Sequence, residues 1–257
     1  MAIHFGCTQC GACCHNLRLP LSLAESADWI RRGGDVQLFI EAIPWPVEPP
    51  DTDAQAAHKR RRSFAAMSGA LPIRVIVNTV ASFDGACPHL LPDARCGAYL
   101  ERPRVCRIYP AEINPFVELT PAAKACPPEA WGADMPEFSA AGKIVDAETH
   151  ELIIASRAAD AQDAPLKERL CSELGIVRTA LANEGFLICS FERDTLLSAI
   201  ERLTSAGDAA PPAIPWQFVS NRRATVDTLL SIEAGCAVPA DLAGSSTRYM
   251  EFFPTDL

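Results

Sequence analysis

The chain opens with Phe5-Gly-Cys7-Thr-Gln-Cys10-Gly-Ala-Cys13-Cys14, four thiols within eight residues at the spacing C-x-x-C-x-x-C-C. Two-residue gaps let successive cysteines turn back on one centre, so that three sulfurs converge on one metal or one cluster. Gly11 lies inside the run, where a positive φ or a close approach of backbone to sulfur costs little. Iron–sulfur ligation uses this spacing, with three thiolates on a tight loop and a fourth from far away. Zinc accepts the same donors. Cys13 and Cys14 are neighbours, and their side chains are not expected to point at the same atom. One of them then serves a second metal, a different edge of a cluster, or nothing. Disulfides are the competing use. The N-terminus has no charged region followed by an apolar one, so no signal peptide is expected. In an unsecreted chain, clustered cysteines are more often metal-binding or catalytic than bridged. His15 is read in a supporting or surface role, because four thiols stand beside it.

A second group of thiols follows far downstream. Cys87-Pro-His-Leu-Leu-Pro-Asp-Ala-Arg-Cys96 puts two across a short loop. Cys106 lies in Arg102-Pro103-Arg104-Val-Cys106-Arg107, and Cys126 precedes Pro127-Pro128. Pro103 opens a short helix at its first turn, and Pro110 closes it. Of the eleven cysteines, Cys171, Cys189 and Cys236 sit within apolar patterns and read as core residues.

The elements that must position these thiols are less regular. Ser22 reads as a helix N-cap, with Glu25 completing a capping box for a helix from Leu23 to Arg32. Val36 to Ile43 is apolar and of uncertain type. Pro44 to Gln55 reads as an extended loop. The basic run His58-Lys59-Arg60-Arg61-Arg62 is a solvated face paired with the protein's own acids, or else a site for an anionic partner. Leu71 to Phe83, rich in β-branched residues, reads as a strand, and Asp84-Gly85 as a turn. Beyond Ala141, helices are expected at Ala147–Ala161, Leu166–Ala182 (bent near Gly175), Thr195–Leu203 and Asn221–Ala234. A short strand is expected at Phe186–Phe191 and a loop at Ala206–Pro215. The fold expected is mainly α with a minor β component. An irregular cysteine-cluster metal-binding domain would occupy residues 1–140, with a helical region, 141–257, packed on it.

Composition narrows the function. With 257 residues, 49% hydrophobic and 21% charged, the chain has the balance of a soluble globular protein, and cytoplasmic localisation is expected. No apolar run approaches the roughly 18 residues of a membrane span. A net charge of −9 argues against general nucleic-acid binding, which needs a basic surface. No nucleophile–base pair and no Gly-rich phosphate loop stands out.

The combination Phe5-x-Cys7-x-x-Cys10-Gly11-x-Cys13-Cys14, Cys87-Pro88-x-Leu90, Cys96-x-x-Tyr99-x-x-Arg102-Pro103-x-x-Cys106-Arg107-x-x-Pro110 and Cys126 resembles the YkgJ-type cysteine-cluster family. That family is described as zinc- or iron-chelating, or as iron–sulfur proteins, and flagellin lysine-N-methylase is a relative. The resemblance covers roughly residues 5–130 and implies eight thiol ligands: Cys7, Cys10, Cys13, Cys14, Cys87, Cys96, Cys106 and Cys126. One four-coordinate site uses four of them. Either two centres exist, or one cluster exists with spare cysteines. Two tetrathiolate zincs would be closed and structural. A 4Fe–4S cluster with cysteine on every iron suits electron transfer or structure, and it is the favoured cofactor, with zinc as the alternative. The spacing is not the C-x-x-x-C-x-x-C associated with radical S-adenosylmethionine enzymes, which disfavours that class. Arg102 and Arg107, with Arg104, flank Cys106. They offset the negative charge of a thiolate centre, or they pair on the surface with Glu101 or Glu112. Tyr99 and Tyr109 are expected to pack over the site. The reading is a metal-binding cysteine-cluster protein with its reaction unassigned. Two alternatives stand beside it. One is a protein-modifying enzyme, lysine N-methyltransferase-like or an iron–sulfur oxidoreductase. The other is a metal-handling or partner-docking module, with Lys59–Arg62 and the helical half as the surface for an unknown protein partner or substrate.

Overall fold

A computed structural model describes residues 2–205, 213–243 and 246–257. The described residues form strands β1 Ala2–His4, β2 Arg18–Leu21, β3 Val36–Pro44, β4 Phe64–Ser68, β5 Leu71–Ser82, β6 Glu137–Ala140, β7 Lys143–Ile144, β8 Arg178–Leu181, β9 Gly185–Ser190, β10 Gln217–Val219, β11 Cys236–Ala237 and β12 Thr247–Glu251. The helices are α1 Leu23–Arg31, α2 Ala54–Arg61, α3 Arg104–Ile108, α4 Ala147–Glu173, α5 Arg193–Ser205 and α6 Arg223–Ser231. The chain divides into two compact units, Met1–Glu25 with Ala81–Ala159, and Ser26–Val80 with Asp160–Leu257.

The first unit is built on little regular structure. β1 and β7 flank β6, both antiparallel to it. The sheet delivers Phe5 into a small core with Ile108, Ala111, Ala130, Phe138 and Ile153. The Phe5 ring lies 4.8 Å from Trp131 and edge-on to Phe138 at 5.2 Å. Offset and edge-to-face pairs of this kind add to the area they bury. Asp146 caps α4, its Oδ1 accepting the Thr149 N–H at 2.9 Å. The segment from 83 to 136 holds α3 and three short 3₁₀ turns, with loops between. A segment that must supply thiols from scattered positions leaves few residues for long elements.

The second unit is organised by a sheet. Its strands run β11-β10-β8-β3-β5, with β4 on β5, β9 on β3 and β12 on β9. β8 is parallel to both β3 and β10, whereas β9 is antiparallel to β3 and β12. Leu38, Ile40, Ile73, Val75, Leu187, Ile188 and Phe218 are fully buried. α5 contributes Leu196, Ala199 and Ile200.

The chain is therefore a mixed α/β protein, not a mainly α one. Among the described residues, 34% are helical and 26% strand, and the second unit alone puts eight strands into one sheet. Two sequence features mislead here. Val36 to Ile43 is β3, with Val36, Leu38, Ile40 and Ala42 buried on one face and Phe39 buried among half-buried residues on the other, so its apolar residues blur the alternation that marks a half-buried strand. Leu166 to Ala182 does not stay helical. α4 ends at Glu173, Gly175 takes φ +66°, and β8 follows. The helices expected at 147–161 and 166–182 begin as one helix, with Pro165 inside it. Of the expected Ala206–Pro215 loop, residues 206–212 lie outside the described residues.

The basic run caps the C-terminal end of α2, where positive charge complements the helix dipole. Arg60 pairs with Asp51 at 3.0 Å and with Glu48 at 2.5 Å, and Arg62 donates to Asn78 at 2.8 Å. Much of the run's charge is thus spent within its own unit. Among the described residues, no helix is long and apolar enough to cross a membrane.

Candidate metal centre

The first cysteine loop is fastened at both ends. Before it, the Phe5 N–H donates to Pro136 O at 3.0 Å and the Gly6 N–H to Ala130 O at 2.9 Å. After it, His15 bridges Ala86, and the Asn16 N–H donates to Gly85 O at 2.7 Å. Between these ends the chain turns twice into the left-handed region, at Gln9 (φ 54°) and Gly11 (φ 72°). Gly11 is required on two counts. An L side chain strains at that φ, and a Cβ there would lie 2.5 Å from Ala94 O. The turn closes with the Cys14 N–H on Gly11 O at 2.9 Å.

Cys87 and Cys96 stand on a tight hairpin-like loop. The Cys87 N–H donates to Cys14 O at 2.8 Å, which sets the two cysteines side by side. Within the loop Leu90 bridges Cys96, and the Gly97 N–H reaches His89 O at 2.7 Å. Cys106 sits in α3, and Glu25 holds that helix: Oε1 accepts the Arg104 N–H at 2.8 Å and Oε2 its guanidinium at 3.0 Å. Cys126 is placed by two aromatic side chains. The Tyr109 hydroxyl donates to its sulfur and accepts the Ala125 N–H at 2.8 Å. The Trp131 indole N–H points at the Cys126 carbonyl at 3.4 Å.

The thiols lie close enough to act on one another by charge. Cys13 and Cys14 share a hydrogen bond, and Cys13 also feels Cys7 and Cys10. Cys14 feels Cys13, Cys87 and Cys96. Cys106 feels Cys87, Cys14 and Cys13. Cys126 feels Cys13, Cys10 and Cys7. Burial is the largest influence on Cys13, Cys14, Cys106 and Cys126, and the neighbouring thiols add to it for Cys14 and Cys106, both pushed up to about 12. A cation that binds here must displace protons. All eleven cysteines are free thiols. Among the described residues, no three His, Cys, Asp or Glu side chains already surround one point closely enough to hold a metal ion. The thiols are gathered but not closed on a centre.

The two expected supporting arginines differ in their surroundings. Arg102 stacks over the Tyr99 ring at 3.8 Å and acts on Cys106, favouring its thiolate. Arg107 pairs with Glu148 at 2.7 Å on the surface. Arg104 is held by Glu25. His15 is exposed. Cys171 and Cys189 are buried in the second unit. Two contributors go beyond the sequence reading. Glu25, recognised only as part of a capping box, also holds α3, 79 positions away. Tyr109, expected only to pack, hydrogen-bonds a thiol. No local pattern signals either, because each partner lies on a distant segment.

Residues 6–127 match the CxxCxxCC family model, described as "Putative zinc- or iron-chelating domain". The match is consistent with the YkgJ-type resemblance. It spans just under half of the chain and encloses all the clustered cysteines, from Cys7 to Cys126. No curated protein and no solved structure matches the chain. The donor set of the matched segment suits the metals in that description. Thiolates are soft ligands that select zinc and iron–sulfur clusters over magnesium or calcium.

Proposed function

We propose that this protein is a thiolate metal-binding protein whose CxxCxxCC domain holds an iron–sulfur cluster, 4Fe–4S before zinc, through ligands drawn from Cys7, Cys10, Cys13, Cys14, Cys87, Cys96, Cys106 and Cys126. The observation that carries the reading is the convergence of thiols from four chain segments, seen in the charge coupling of Cys106 to Cys87, Cys14 and Cys13 and of Cys126 to Cys13, Cys10 and Cys7. A group of thiols with no metal gains nothing from mutual proximity. With a cation each thiolate becomes a bond, and that bond energy is folding energy. Arg102 beside Cys106 supplies the positive charge that a thiolate centre attracts. When bound, such a cluster supplies electron transfer or structural support. The chain's own residues orient the sulfurs, and the Phe5–Trp131 pair covers the loop base. Iron, zinc and acid-labile sulfide contents of anaerobically purified protein test the reading, together with an absorption spectrum. Iron with sulfide and broad visible absorption is the expected outcome. Stoichiometric zinc without sulfide keeps the metal and overturns the cluster. Protein with neither metal, and none taken up on reconstitution, overturns the reading.

A further inference from the structure

We infer that the second unit carries a binding site for a free α-amino acid with a small side chain, its ammonium on Glu184 and its carboxylate on Arg222. The site shares no residue with the segment 6–127 and does not depend on the metal-binding reading.

The walls of the site come from strand ends. β8 and β10 are parallel neighbours, and open α/β sheets take their ligands outside the carboxyl ends of such strands. Glu184 lies in the turn after β8, Arg222, Ala224 and Thr225 follow β10, and Phe253 follows β12. Together they line a cavity of about 160 Å³, which suits a molecule of roughly benzene's bulk. Two buried polar side chains hold these walls. β10 runs out in Ser220 and Asn221, 0% and 1% exposed. Burying them is costly unless their hydrogen bonds are made, and those bonds go to the walls. The Ser220 hydroxyl donates to Glu184 Oε2 at 2.7 Å. Asn221 Nδ2 donates to Phe253 O at 2.8 Å and to Glu251 Oε2 at 2.7 Å. Asn221 Oδ1 stays buried without a partner, an acceptor for which the chain supplies no donor.

Charge names the ligand. The Glu184 carboxylate accepts two hydroxyls, of Ser220 and Thr225, and among the described residues no cation pairs with it. Arg222 is fastened through Nε to Asp256 Oδ2 at 3.1 Å and lies over the Phe253 ring at 5.8 Å. Its two terminal amino groups make no hydrogen bond among the described residues. Glu184 and Arg222 thus line one cavity, each held in place, and no ion pair joins them. Opposite charges fixed apart on one small cavity are complementary to a ligand that carries both. A free α-amino acid does so, with one carbon between its ammonium and its carboxylate. Charge-assisted hydrogen bonds at both ends orient it, and Phe253 and Ala224 give its side chain an apolar wall. The first N–H of α6, that of Arg223, is already taken by Asp256 Oδ1 at 2.6 Å. The anion end of the site is therefore the guanidinium and not the helix terminus. Walls that are held beforehand need little ordering on binding.

Isothermal titration calorimetry of the full-length chain with glycine, L-alanine and L-serine tests the site, with saturation-transfer NMR to locate the bound ligand protons. L-alanine is expected to bind saturably, one molecule per chain. Propionate, which lacks the ammonium, and ethylamine, which lacks the carboxylate, are each expected to bind about tenfold more weakly or worse. Arg222→Gln and Glu184→Gln are each expected to weaken L-alanine by a similar factor. Arg222→Gln should leave ethylamine unaffected, and Glu184→Gln should leave propionate unaffected. Ala224→Phe puts a ring into the cavity without touching the hydrogen bonds of Glu184, and it should abolish binding. That variant decides the question should Glu184→Gln fail to fold. Propionate or ethylamine binding as tightly as L-alanine overturns the zwitterion reading. L-alanine binding that survives Ala224→Phe overturns the placement. Failure of all three amino acids to bind wild type at millimolar concentration overturns the site itself.

Discussion

Glu25 commits both carboxylate oxygens to the segment that carries Cys106, Oε1 to the Arg104 N–H at 2.8 Å and Oε2 to the Arg104 guanidinium at 3.0 Å. Oε2 also accepts the Ser22 N–H at 3.0 Å. One side chain thus starts α1 and locks α3. Replacing Glu25 by alanine leaves partly buried donors without an acceptor, which costs about 1–3 kcal/mol. The expected outcome for Glu25→Ala is a lower urea midpoint and faster loss of the bound metal to a chelator. Glu25→Gln, which keeps an oxygen for the Arg104 N–H, should fall between that variant and wild type. Equal chelator rates for all three proteins would show that α3 holds its place without Glu25.

Tyr109 performs a related task for Cys126. Its hydroxyl sits between the Ala125 N–H and the Cys126 sulfur, and burial pushes the phenol up to about 12. Tyr109→Phe keeps the ring and deletes the bridge. Because Ala125 is exposed and water can replace the hydroxyl, the stability cost is expected at about 1 kcal/mol or less. Metal retention should suffer more, since the 126 segment loses a tether at its proposed ligand. Competition with a chromogenic chelator of the bound metal measures that directly. Unchanged kinetics would demote Tyr109 to packing.

The thiols were legible because cysteine spacing is a local code, whereas most of the sheet was not. Ser22 and Glu25 form the capping box their spacing predicts, with the Glu25 N–H on Ser22 Oγ at 3.2 Å. Leu71 to Ser82, rich in β-branched residues, is the strand it reads as. β8 and β10 hold four and three residues, too few to show a period, and their parallel partners lie far away in the chain. A strand made by such pairing carries little signal of its own. The same holds for Glu25 and Arg104, whose contact follows from tertiary structure alone.

Lys167 offers a test of the second unit. Its side chain is 2% exposed and its ammonium reaches Asp160 Oδ1 at 3.2 Å, while Arg62 lies 3.9 Å from the same carboxylate. Removing one member of a buried pair strands the other charge. Asp160→Ala is expected to cost about 2–3 kcal/mol, toward the low side for such pairs because Asp160 is partly exposed and screened. Lys167→Met, an apolar chain of similar length, should be close to neutral. The double variant should recover most of the loss. A thermal-unfolding cycle over the four proteins measures the coupling, and additive losses would contradict it.

Glu41, on β3, gives a pH signature with a definite sign. Burial raises its carboxyl above the ordinary value of 4.5, against the opposing charges of Arg62 and Lys59. Below pH 4.5 the group is protonated in both folded and unfolded chains, and its burial costs nothing extra. As the pH climbs past 4.5 the unfolded chain ionises first while the folded one keeps its proton, so stability falls with pH until the folded carboxyl also titrates. Above that point the loss is constant. Glu41→Gln cannot ionise, so its stability should match wild type at pH 4 and exceed it at pH 7. The gain should be at most about 1 kcal/mol, because the cationic neighbours and partial solvent access offset the burial. Urea midpoints of the two proteins across this range provide the measurement. A Glu41→Gln variant that is weaker than wild type at pH 7 would mean that attraction to Arg62 and Lys59 outweighs burial.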